Sequence, residues 1–299
     1  MNTISTTNTA PYQQFYEQLI TKYEPENKMM WCLMNPKPRP CFNPEMLEEL
    51  GKFLHVIRNQ VNAVEHSESN SVIDFVTFGS FRPGIFSLGG DLELFVDLIS
   101  ENDRAGLDRY MRTSIQVMHD ISINMHVPIT TIALVRGSAL GAGFEGALAC
   151  DVIIAEKSVQ LGFPAVLFNM FPGMGAYSFL ARRIDPANVE RMILSGRIYT
   201  APEMAEMGII DVLANDGEGI ESLYQFLKKN KKVENTRKAI IKMRNRVNPV
   251  KIEEMIDIGE MWVDSALSLG SKDLRIMQRL IRSQNKALDK TILKREIIL

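Results

Sequence analysis

The one carboxylate whose setting points to chemistry is Glu145. It lies in GSALGAGFEGALACDVIIAEKSVQLGFPA (Gly137 to Ala165), a stretch otherwise built mostly from small and apolar residues. The run TTIALV before it (Thr130 to Val135) has the length and β-branching of a buried strand. The glycines that follow let backbone come close to another group, and FEGALA reads as a short helix starting there. Amides at a helix start lack intrahelical partners, so those around Gly141, Ala142 and Gly143 could hold a developing oxyanion, with Glu145 one turn further in. The alternative is an ordinary surface glutamate on a helix. Ala142, Phe144, Ala147, Leu148 and Ala149 leave that helix little polar face, which weighs against it.

A second glycine pair stands earlier, in SFRPGIFSLGGDL. The strand VIDFVTFG (Val72 to Gly79) leads into it, and Gly89 and Gly90 permit close approach of backbone to a ligand, or form a plain turn before a helix beginning near Asp91.

The pattern GxALGxGxExALxCDxxIA, followed by Phe163-Pro164 and then Pro172-Gly-Met-Gly175, resembles the crotonase (enoyl-CoA hydratase/isomerase) superfamily. The resemblance covers roughly Met29 to Val212 and includes FSLGGDL (Phe86 to Leu92) and NPKPRPCFNPEMLEEL (Asn35 to Leu50). It implies an α/β fold, the crotonase-like spiral of repeated ββα units with a C-terminal helical region, assembled as a homo-trimer or hexamer. It also implies that the Gly90 and Ala142 amides form the oxyanion hole and that Glu145 is catalytic. Within the superfamily, PKPRPCFNP, LGGDLELF and LFNMFPGMGAYSFLARR are most similar to the diffusible signal factor synthases. These make cis-2-unsaturated fatty-acid signals from 3-hydroxyacyl thioesters on acyl carrier protein. One departure stands out. Hydratase-like members carry a second glutamate directly after the Phe-Pro pair, and here that position, 20 residues beyond Glu145, is Ala165.

The chemistry sets the residue demands. Removing the proton next to a thioester builds an enolate, which two backbone amides stabilise; losing one such donor typically costs about 3 kcal/mol. A base must take the proton, and in dehydration an acid must protonate the departing hydroxyl, hence paired glutamates. The leading expectation is therefore a dehydratase and thioesterase producing a fatty-acid signal, impaired for dehydration by Ala165. A generic acyl-CoA hydratase or isomerase is the first alternative, and a non-catalytic acyl-binding or regulatory protein the second. Phe168, Met170 and Phe171 are acyl-pocket candidates, with core packing as the other reading. Expected partners are an acyl carrier protein or acyl-CoA substrate and, by resemblance, a cognate signal-sensor protein. No cofactor is expected.

The whole chain fits those demands. Its 299 residues are 45% hydrophobic with a net charge of −2, which gives no overall field for nucleic acid. Three cysteines (Cys32, Cys41, Cys150) form no CxxC pair, and the four histidines (His55, His66, His119, His126) fall in no recognisable motif. A disulfide framework, a zinc site and a Ser-His-Asp hydrolase are all disfavoured, and a cytoplasmic location is expected. Neither a signal peptide nor a membrane span is expected.

Three regions follow: a tail and short helix over residues 1–25, with Tyr12 to Ile20 at helical spacing, a core over 26–215, and a helical region over 216–299. MMWCLM (Met29 to Met34) reads as a strand. The prolines of Asn35 to Pro44 favour an extended segment, either a linker or an ordered wall of the ligand site. Asn43-Pro44 caps a helix whose stripe runs from Leu47 to Val64. A further amphipathic helix spans Ala105 to Met125; His119 and Asp120, adjacent on it, point apart and form no dyad. VQLGF (Val159 to Phe163) is a strand, GAYSFLARRI and Asn188 to Leu194 are helical, and Thr200 with Glu203 forms a capping box. Lys228 to Arg246 holds nine basic residues against one acidic, Glu234. That is a solvated helix face, or a docking patch for an acidic carrier.

Overall fold

The computed structural model describes residues 15–65 and 73–296. The chain opens with β1 (Leu19–Glu24), β2 (Met29–Met34) and α1 (Pro44–Glu65). Three turns of one motif follow. The first is β3 (Phe75–Ser80), β4 (Gly84–Ser87), α2 (Leu92–Ser100) and α3 (Arg104–Ser122). The second is β5 (Thr130–Val135), β6 (Gly137–Leu140) and α4 (Ala142–Leu148), and the third β7 (Val152–Glu156), β8 (Gln160–Gly162) and α5 (Ala176–Leu180). After them come α6 (Pro186–Ser195), β9 (Ile198–Thr200), α7 (Ala201–Glu206), β10 (Val212–Ala214), α8 (Gly219–Asn230), α9 (Glu234–Val247), α10 (Ile252–Leu267) and α11 (Ser271–Glu296).

The main sheet has the order β1-β2-β3-β5-β7-β10, and the smaller one β4-β6-β8-β9. Only β1 in the first and β9 in the second run antiparallel to their neighbours. Each repeat places one strand in each sheet and moves one position along both, so the chain advances as a spiral. This is the α/β architecture that the sequence resemblance implies. All six residues of β5 and all five of β7 are buried, because helices cover both faces of the main sheet. Ile132, Leu134, Val152 and Ile154 face Leu223 and Leu227 of α8, while Ala133, Val135, Ile153 and Ala155 face the larger core with α1 and α3.

The expected helix over Tyr12 to Ile20 is not formed in its described part. Leu19–Glu24 is the edge strand β1, paired residue for residue with β2 from Leu19↔Met34 to Glu24↔Met29. Pairing with an apolar neighbour outweighs a weak helical spacing. Residues before 15 lie outside the described ones. GAYSFLARRI is also shorter as a helix than expected, ending as α5 at Leu180. Asp185 then caps α6 through the Ala187 N–H, with Pro186 in the first helical turn. His119 is half-buried and its ring is tied to the Val250 carbonyl at 3.1 Å. No described helix is long and apolar enough to cross a membrane.

Candidate active site

Four segments converge at the site. After β4 the chain passes through Leu88, Gly89 and Gly90 into α2; after β6 it passes through Gly141 into α4. Gly89 (φ 108°) and Gly141 (φ 51°) sit in backbone regions that side chains disfavour. A methyl built on either would lie 3.7 Å from the other's Cα, so the two turns are packed against each other. The Ala142 N–H, in the first turn of α4, has no intrahelical acceptor.

The proline-rich segment holds the first turn from behind. Leu88 N–H donates to the Pro40 carbonyl and Phe42 N–H to the Gly89 carbonyl, both at 2.8 Å. Arg39 pairs with Asp91 at 3.0 Å and with Glu93 at 2.6 Å, and Asp91 caps α2. Asn43 Oδ1 accepts from Met46 N–H, which starts α1. Asn35 to Pro44 is thus an ordered brace behind the Gly90 loop, and none of its residues is among those lining the cavity.

Glu145 is 2% exposed. Its Oε1 accepts from the Met174 N–H at 2.7 Å, in the Pro-Gly-Met-Gly turn, and from the Ala176 N–H at 3.0 Å, at the start of α5. Burial pushes the carboxyl up to about 7 against the opposing pull of those two N–H bonds. Near neutral pH the group is populated in both protonation states, as a proton-transfer catalyst requires.

A cavity of about 250 Å³ opens beside it. Gly90, Ala142, Glu145, Ala165, Phe168, Met170 and Phe171 all line it, so every site residue expected from sequence falls on one surface. Among the described lining residues, Glu145 alone is ionisable. Ala165 lies in a short 3-10 turn, Pro164–Phe168, and lines the cavity at the position where the sequence resemblance implies a second glutamate. Sequence reasoning missed the other half of the wall. Phe95 and Ile99 come from α2, Trp262 and Ala266 from α10, and Met277, Leu280 and Gln284 from α11. The spacing Met255, Ile256, Gly259, Trp262, Val263, Ala266 was the available signal for α10. A larger open groove of about 550 Å³ beneath α9 is lined by His126, Lys238, Lys242 and Arg246 and, among the described residues, by no carboxylate.

Two sheets wound by repeated ββα turns carry glycine loops and, among the described lining residues, one carboxylate around a largely apolar cavity. Residues 28–255 match the model of the enoyl-CoA hydratase/isomerase family, and the chain belongs to that family. It is 29% identical over 198 residues to the Bacillus subtilis enoyl-CoA hydratase/isomerase homologue YhaR, covering 65% of this chain and 70% of that one. It is 32% identical over 158 residues to methylglutaconyl-CoA hydratase of Rattus norvegicus, covering 52% of this chain and about half, 48%, of the relative. The human mitochondrial delta3-delta2-enoyl-CoA isomerase shares the fold with a TM-score of 0.72 at 14% identity, over 91% of this chain and 99% of the other.

Proposed function

We propose that the protein is an acyl-thioester enzyme that works by proton transfer, best matched by isomerisation of an enoyl thioester. The observation that carries this is Glu145, the one ionisable group among the described residues lining the cavity, poised at about 7. The N–H groups of Gly90 and Ala142 hold the thioester oxygen. The Glu145 carboxylate takes a proton from the carbon next to the carbonyl, and the electron pair moves onto that oxygen as a dienolate. The resulting carboxylic acid returns the proton two carbons further along. The double bond moves into conjugation and the carboxylate is regenerated, so one residue suffices for both transfers. Hydration or dehydration further requires a polar group to hold the water or departing hydroxyl, and Ala165 offers none.

The finer reading is synthesis of a cis-2-unsaturated fatty-acid signal from a 3-hydroxyacyl thioester on acyl carrier protein, with thioester hydrolysis. The bracing of the Gly90 loop by the proline-rich segment favours it, since that segment carries the likeness to signal synthases. Without a second carboxylate at position 165, its dehydration step runs slowly.

The experiment offers 3-enoyl, 2-enoyl and 3-hydroxyacyl thioesters, on CoA and on carrier protein, to the parent and to Ala165→Glu. Mass spectrometry and enoyl absorbance follow the products. The parent is expected to interconvert 3-enoyl and 2-enoyl thioesters, and the variant to gain dehydration. Tight thioester binding with no conversion by either protein would move the acyl-binding reading ahead.

A further inference from the structure

Three aromatic rings form a column between the loops that carry the site's backbone donors. Tyr110 of α3 meets Phe95 of α2 edge to face, with centroids 4.9 Å apart and planes at 83°. Phe95 in turn meets Trp262 of α10 at 5.1 Å and 69°. Gly90 sits against Phe95 and the Tyr110 hydroxyl, and Gly173 against Trp262. A methyl built on Gly90 would sit 2.7 Å from the Phe95 ring and 3.1 Å from the Tyr110 hydroxyl; one on Gly173 would sit 2.6 Å from the Trp262 indole. Both loops therefore rest on the column without slack.

The two ends act on different parts of the site. Tyr110 is 4% exposed, and its hydroxyl donates to the Phe42 carbonyl at 2.6 Å while bonding the Asp91 main chain. Phe42 is bridged to Gly90, so the phenol ties both strands of the bridge that carries the Gly90 amide. Burial holds that phenol well above its usual pKa, so it stays a neutral donor. At the other end, Gly173 immediately precedes Met174, whose N–H, with that of Ala176, holds Glu145 Oε1.

We propose that Tyr110, Phe95 and Trp262 are positioning residues that set the separation between the Gly90 amide and the Glu145 carboxylate. The C-terminal region, through α10, then shares in the geometry of the reaction. The inference rests on the acyl-thioester reading of those two groups. Plain core packing would make the same substitutions lower stability with no selective effect on chemistry.

The test uses Tyr110→Phe, Trp262→Leu and the conservative Trp262→Phe. Tyr110→Phe is expected to lower kcat by about 10- to 100-fold through displacement of the donor, with KM and the pH midpoint near the parent's. Trp262→Leu frees the Gly173 loop and weakens the N–H bonds that hold the Glu145 pKa down. Its midpoint therefore moves to higher pH, in the rate profile and in the titration of ¹³C-labelled glutamate in the substrate-free protein, with the Glu145 signal assigned by Glu145→Gln. Trp262→Phe is expected to bring the midpoint back towards the parent's. An unmoved Glu145 titration in folded Trp262→Leu, or Tyr110→Phe turnover within about twofold of the parent, overturns the proposal. If the parent converts no acyl thioester, the functional reading falls, and the substrate-free titration still decides the Trp262 end of the column.

Discussion

Glu145, in the middle of α4, and Asp151, three residues beyond its end, are both buried carboxylates, and their surroundings differ. Asp151 lies just beyond α4 and is 9% exposed. Its Oδ2 accepts from the Thr131 N–H at 2.9 Å, from the Thr131 hydroxyl at 3.2 Å and from the Asn124 amide, while Oδ1 meets the Arg244 guanidinium. Both oxygens are filled and a cation stands beside them, so the group ties β5, β7 and α9 together. Glu145 has one oxygen held by two N–H groups, no described hydrogen bond to the other, and no cation lining its cavity. Burial alone makes a framework carboxylate or a reactive one; an unfilled oxygen in an apolar cavity decides which.

The contrast is broken most directly at its reactive end. Glu145→Gln keeps the shape and the N–H bonds and removes the proton carrier, so turnover of the enoyl thioester is expected to fall by about 10²- to 10⁴-fold. Binding of the same thioester, read by calorimetry, is expected to persist. The opposite pattern belongs to Asp151→Ala. It leaves the Thr131 N–H, the Asn124 amide and Arg244 without their acceptor, and is expected to cost about 2 to 4 kcal/mol in urea unfolding with kcat little changed below the melting transition.

Protonation sharpens the comparison further. The Glu145 pKa is raised from the unfolded value to about 7 in the fold, so the native state binds this proton more tightly. Its contribution to stability is complete below the unfolded pKa and is lost as pH climbs through 7. Glu145→Gln cannot ionise, so at pH 8 it is expected to be more stable than the parent by up to about 3 kcal/mol, with the gain gone by about pH 4. Urea midpoints at the two pH values check it.

Much of this was legible in the sequence because it is local. A β-branched run, two glycine turns and one glutamate among alanines specify β5, the Gly90 and Gly141 turns and the Glu145 helix without any long-range information. Asn43, Asp91 and Thr200 announce helix starts for the same reason. The illegible part is non-local. Nothing near Trp262 says that it will meet Gly173, since that contact joins segments about 90 residues apart and depends on how α10 packs on α3. The edge strand β1 was misread as helix because its structure comes from its partner, β2, and hardly from its own pattern.

The weakest expected effect concerns the basic segment, which sequence left as a solvated helix face or a carrier dock. Several of its cations are spent internally: Lys238 on Asp74 and Glu234, Arg244 on Asp151, and Arg237 over the Phe226 ring at 4.8 Å. Asp74 and Asp151 directly precede β3 and β7, whereas the Gly90 and Gly141 turns follow β4 and β6, and no residue of Lys228 to Arg246 lines the cavity beside Glu145. A carrier seated on α9 would have to deliver its thioester from the wrong end of the strands. Reversing charge at the exposed Lys229 and Lys232 is therefore expected to change KM for carrier-bound substrate by no more than about twofold, at low salt as at high. A severalfold rise confined to the carrier-bound substrate and abolished by salt would instead make this face the dock, and would separate it from the Asp151 framework it adjoins.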